Sequence, residues 1–220
     1  MITSAVPLWL DLLCVGFGSF QGALFAIFYR RFDLVGVIAL AFLSGLGGGV
    51  LRDLLLGVGR PVGMQNNYLL TAILGALLAA IIGRWFARLR NTVIFLDSVA
   101  MSLFAIAGTY KALIYNTSVL VAVLLGVVTA VGGGVLRDVV SRITPQIFTG
   151  GPLYATATAI GAALFAFLYS TSINLNISVA ITAIVIVTIH MTSVRFRIHL
   201  KPAISGLDGA DDFEEPNRGR

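Results

Sequence analysis

The chain has 220 residues, of which 58% are hydrophobic and 11% charged, with a formal net charge of +5. Soluble domains carry about 25% charged residues, so this composition excludes a soluble globular protein and indicates an integral membrane protein. The basic residues are scattered at segment ends, without a basic patch interleaved with aromatics, which argues against nucleic acid as a partner.

A spanning helix needs roughly 20 mostly apolar residues, and seven stretches qualify. The first, at about 5–29, is apolar from its start and lacks a basic leader, so it is expected to be a span and not a cleaved signal. It holds Asp11 and the single cysteine, Cys14, which excludes an internal disulfide and argues against a cysteine-ligated metal. After RRFD at 30–33, the second span, about 34–57, contains LGGGVLRD at 46–53. The loop GVGRPVGMQN at 57–66 leads to the third span, about 66–86, and RLRN at 88–91 to the fourth, about 93–115, which holds Asp97 and Lys111. YNTS at 115–118 precedes the fifth span, about 118–141, where VGGGVLRD recurs at 131–138. RITPQIFTGGP at 142–152 and STSINLN at 170–176 then separate a sixth span, about 151–170, from a seventh, about 176–194. The membrane domain thus runs to about residue 203, and the polar segment 204–220 is expected to be a disordered tail.

Loop charges set the expected orientation. Arg30, Arg31, Arg84, Arg88, Arg90, Arg142, Arg195, Arg197 and Lys201 fall on one side, and Arg60 stands nearly alone on the other. The basic side should be cytoplasmic, with the N-terminus outside and the C-terminus inside a multi-pass cell-membrane protein.

The doubled motif belongs to a longer repeat. Gly47 maps to Gly132 and Arg52 to Arg137 at an offset of 85; Asp11 maps to Asp97, Gly22 to Gly108, Tyr68 to Tyr154 and Gly75 to Gly161 at an offset of 86. Spans 1–3 therefore recur as spans 4–6, with span 7 added. Three spans per copy force the second copy into the membrane upside down, an all-α inverted repeat of the kind that places ion or substrate paths near mid-depth. Gly47, Gly48 and Gly49, like Gly132, Gly133 and Gly134, sit near the middle of their spans. Such triplets weaken a helix by roughly 1 kcal/mol per glycine relative to alanine. They allow either a kink that turns carbonyls toward a cavity or a close helix–helix contact.

An arginine or aspartate inside an apolar span costs roughly 2.5–3.5 kcal/mol. Because neighbours on a helix point to different faces, partners are expected from other spans. The expected pairs are Asp11–Arg52 at the outer ends of spans 1 and 2, and Asp97–Arg137 at the inner ends of spans 4 and 5. Asp53 and Asp138 are left near the two mouths, to accept from neighbouring helices or to attract cations. Lys111 breaks the symmetry, since Phe25 is its counterpart; it can snorkel to the interface or put a gating charge at one mouth. Ser44 and Thr129 occupy matching positions before the triplets, where a hydroxyl lines the path or bonds the carbonyl one turn back.

The paired GGGxxRD motifs, the aspartates opening each repeat and the three-plus-three-plus-one layout resemble the prokaryotic branch of the trimeric intracellular cation channel family, also labelled as a glycine-transporter family. The resemblance covers about residues 5–194. It implies a homotrimer with one hourglass pore per protomer, lined by spans 1, 2, 4 and 5 and shaped by glycine kinks. It also implies passage of K⁺ and Na⁺ as transient ions, with membrane lipid as the surroundings and no cofactor. The competing reading of the same architecture is alternating-access transport of a small solute such as glycine; a structural scaffold would leave the buried charges without a purpose.

GLGGGV at 45–50 lacks the last glycine and the preceding strand of a dinucleotide-binding loop. His190 and His199 have no metal-ligand spacing and are expected at the surface or an interface. Gly75-Ala76 and Gly161-Ala162 suit helix packing. No nucleophile–base pair points to an enzyme.

Overall fold

The computed structural model describes residues 6–198 apart from 62, 64, 88–89 and 149–152, and residues 29–30, 84, 86–87 and 90–91 through their backbone alone. The tail at 204–220, His199 and Lys201 lie outside the described residues. Among the described residues, seven α-helices build the fold: α1 (Leu8–Phe25), α2 (Leu34–Leu56), α3 (Asn66–Ala87), α4 (Arg90–Ile114), α5 (Val119–Val140), α6 (Tyr154–Ser170) and α7 (Leu175–Phe196). Six are long and apolar enough to cross a membrane, and α6 is a shorter apolar helix. The protein is a multi-pass membrane protein, and its described helices match the seven expected spans.

Local chemistry fixes the helix ends. Asp33 caps α2 by accepting from the Gly36 N–H at 2.9 Å, and Asn174 caps α7 by accepting from Asn176 at 2.9 Å. Gly57 ends α2 in a left-handed conformation with φ 66°. A π-helical turn over Ala26–Arg30, for which the sequence carries no signal, continues α1. Large apolar side chains such as Leu54, Ile81, Leu120 and Ile184 face outward, as a hydrocarbon solvent permits.

Packing follows the repeat. Within each copy the first helix packs on the second and third, and the second on the third; between copies, α1 meets α4 and α2 meets α5. Helix α7 packs on α4 and α6 of the second copy, without a counterpart on the first. The main apolar core joins Leu10 and Cys14 of α1 to Met101, Phe104 and Ile106 of α4, and to Phe165 of α6 and Ile186 of α7.

Both glycine triplets lie inside uninterrupted α-helices. What they provide is contact. A Cβ on Gly48 would collide with the Thr129 carbonyl oxygen, and one on Gly133 with the Ser44 carbonyl oxygen. Helices α2 and α5 therefore cross backbone to backbone at the centre of the molecule, which only glycine allows.

Candidate functional site

Charged side chains gather on either side of that crossing. At one end, Arg52 Nη1 donates to Asp11 Oδ1 at 3.1 Å and Arg52 Nε to Asp53 Oδ1 at 2.8 Å. Lys111 Nζ reaches the same Asp53 oxygen at 2.8 Å, and the Tyr68 hydroxyl donates to Asp11 Oδ2 at 3.3 Å. This cluster is closed to solvent: Arg52 is 1% exposed and Asp53 0%. Burying such charges is tolerable because each one has an opposite partner.

At the other end, Arg137 Nε and Nη2 both reach Asp138 Oδ1, at 2.8 and 2.7 Å. The backbone N–H of Gln146 donates to Asp138 Oδ2 at 3.3 Å. The guanidinium lies over the Phe25 ring, 4.7 Å from its centre, a cation–π contact. Asp97 takes a neutral partner, accepting from Gln21 Nε2 at 2.5 Å.

These contacts fix the relative direction of the helices. Asp11 near the start of α1, Arg52 near the end of α2 and Lys111 near the end of α4 share one level. Gln21 and Phe25 near the end of α1, Asp97 near the start of α4 and Arg137 near the end of α5 share the other. Helices α1 and α4 therefore run in opposite directions, as an inverted repeat requires.

The expected Asp11–Arg52 pair forms. The Asp97–Arg137 pair is not among the ion pairs of the described residues: Arg137 turns to Asp138, and Asp97 to Gln21. Partners are expected from other spans, and Arg52 and Asp53 find them in Asp11 and Lys111, but at both motifs the adjacent Arg and Asp also meet each other. Their Cβ atoms do diverge, but the arginine side chain is long enough to fold back onto the next residue. Asp53 and Asp138 are consequently buried members of the clusters, not spare carboxylates. Lys111 turns inward to Asp53 instead of snorkelling, with a side chain only 14% exposed.

At the crossing, the Thr129 hydroxyl bonds the Leu125 carbonyl one turn back at 2.5 Å. The buried Ser44 hydroxyl and Arg52 Nη2 have no hydrogen-bond partner among the described residues. His190 is a further correction. It is 1% exposed, and its Nδ1 lies 2.6 Å from the Ser98 hydroxyl, with its ring edge-on to Tyr154 at 5.5 Å. The histidine docks α7 against α4 and α6. Gln21, Phe25 and Tyr68 join the site without being singled out by the sequence motifs. The Phe25–Lys111 mismatch and the Tyr68–Tyr154 match are the signals that point to two of them. Among the described residues there is no cluster of metal-ligating side chains.

The family model described as "Glycine transporter" matches residues 8–84 and again 94–170, one copy on each repeat. A UPF0126 membrane protein of Deinococcus radiodurans is 40% identical over 156 residues, covering 70% of this chain and 72% of the relative. The UPF0126 inner membrane protein YadS of Escherichia coli K12 is 34% identical, covering 72% and 76%. Among solved structures, one described in work on conductance through TRIC cation channels superposes with a TM-score of 0.79 at 27% identity, covering 92% of this chain and 99% of that one. The TRIC trimeric intracellular cation channel orthologue of Rhodobacter sphaeroides gives 0.77 at 27% identity, covering 86% and 97%. These structural neighbours are channels, not enzymes. With the family unit matched on both repeats and the fold shared almost end to end, the chain belongs to the prokaryotic trimeric intracellular cation channel family, whose sequence model carries the glycine-transporter description.

Proposed function

We propose that the protein is a passive channel for monovalent cations, K⁺ and Na⁺, with one path in each protomer of a homotrimer. The observation that carries this reading is the placement of two buried charge clusters on either side of a single α2–α5 crossing, in a fold shared with cation channels. Cations approach the carboxylates of Asp11 and Asp53 at one end and of Asp97 and Asp138 at the other. The narrowest part of the path is at Gly47–Gly49 and Gly132–Gly134. When the helices part or kink there, the Ser44 and Thr129 hydroxyls and carbonyls replace some of the ion's hydration. Arg52, Arg137 and Lys111 hold the helix ends through their acidic partners and balance the carboxylates, so that cations pass without binding too tightly to leave. The distribution of loop arginines supports a cytoplasmic Asp97 end.

The family description favours a second reading, alternating-access transport of glycine, which an inverted repeat can also support. Purified protein in K⁺-loaded liposomes separates the two. Rapid K⁺ flux down its gradient without uptake of radiolabelled glycine is the expected result. Saturable glycine uptake with little K⁺ conductance would overturn the channel in favour of the transporter.

A further inference from the structure

Each glycine triplet is followed by Val-Leu-Arg-Asp, and the leucine belongs to neither charge cluster. The structure gives both leucines the same place. Leu51 of α2 reaches across to α5, where a Cβ on Gly132 would stand 2.8 Å from its Cδ1. Leu136 of α5 reaches back to α2, where a Cβ on Gly47 would stand 2.7 Å from its Cδ1. The two contacts are repeat mates, and each seats a leucine methyl group against a glycine, where an added Cβ would make the leucine shift. Both leucines are half-buried, between the glycine crossing and the charge cluster of their own helix. Leu51 precedes Arg52, which is tied to Asp11 and Asp53; Leu136 precedes Arg137, which is tied to Asp138.

We propose that Leu51 and Leu136 form a two-part apolar gate in which each leucine latches onto a glycine of the opposite repeat. The gate rests on the channel reading and names the parts that close it. An ion moving from one cluster to the other must pass the α2–α5 crossing, where the latches present methyl groups in place of oxygen ligands. A constriction of this kind stops ions by excluding water. It opens when α2 and α5 separate enough to unseat both leucines. Because each leucine adjoins an anchored arginine, a shift at either charged cluster moves a latch directly.

Single-channel recording in planar bilayers tests this, with oligomer size checked for every variant. Leu51→Ala and Leu136→Ala should each raise open probability by roughly tenfold, because the seated methyl group stabilises the closed state alone. Gly132→Ala crowds its leucine, and adding Leu51→Ala should return gating toward the wild type, whereas adding Leu136→Ala should not. The mirror pair is Gly47→Ala with Leu136→Ala. If alanine prevents assembly, Leu51→Val and Leu136→Val predict the same direction with a smaller change. A wild type that conducts while all leucine variants gate identically would overturn the gate alone, as would rescue by either alanine regardless of partner. A wild type that carries no ion current would overturn the channel reading, and the gate with it.

Discussion

The two ends of the molecule are written with the same three letters, Leu-Arg-Asp, yet they are built differently. At the Asp11 end two acids and two bases form a continuous chain, Asp11–Arg52–Asp53–Lys111, with formal charges that cancel. At the Asp97 end Arg137 is committed to Asp138, Asp97 is held by a neutral amide, and Phe25 stands where the other repeat has Lys111. Two acids there face one base. An inverted repeat thus preserves backbone geometry while its chemistry diverges, giving one locked end and one looser end. The locked end resists separation because Arg52 is shared by two buried carboxylates, so its loss takes an ion pair from each; at the looser end Arg137 pairs with Asp138, while Asp97 is held by Gln21.

The largest test of this difference removes the arginines. Arg52→Gln takes an ion pair from two buried carboxylates at once, leaving Asp53 only Lys111, and should cost about 3–5 kcal/mol. Arg137→Gln deprives one ion pair and should cost about half as much. Thermal unfolding of the detergent-solubilised protein would show the ordering, and equal losses would erase the distinction between the ends. Charge reversal comes next. Asp11→Arg combined with Arg52→Asp should recover more assembly and flux than either change alone, with a coupling of up to about 3 kcal/mol. The matching reversal of Asp97 and Arg137 should recover little; additive effects at the Asp11 end would mean that its pair is not direct. The smallest effects concern the mismatched repeat mates. Lys111→Met removes a charged hydrogen bond worth about 2 kcal/mol, and Phe25→Leu a cation–π contact worth about 1 kcal/mol. If Phe25→Leu proved the more damaging in the same melting assay, the looser end would be held by that ring and not by Asp138.

Much of this is legible in the sequence because membrane helices advertise themselves. Apolar runs separated by short charged or polar loops mark seven spans, and constant offsets of 85 and 86 expose the repeat. Asp11–Arg52 is readable because both residues lie one turn inside the same membrane face. The rest depends on side-chain reach. A rule about Cβ directions conceals the fold-back of Arg52 and Arg137, since it ignores the length of the guanidinium arm. Gln21, Leu51 and Leu136 are ordinary residues in spans that are mostly apolar, and only the third dimension gives them partners. For His190 the nearby arginines suggest a surface, while α7 in fact turns it inward.

The contacts that join the two repeats also constrain how the protein is made. Lys111 completes a cluster begun by Asp11, Arg52 and Asp53, and Gln21 and Phe25 wait for Asp97 and Arg137. The glycine faces of α2 have no partner until α5 arrives. During synthesis the first three helices therefore enter the membrane with buried polar groups whose partners are not yet translated. Duplication produced two similar halves without producing two independent ones. A ribosome that stops after α3 leaves a fragment holding part of two different clusters and the whole of neither.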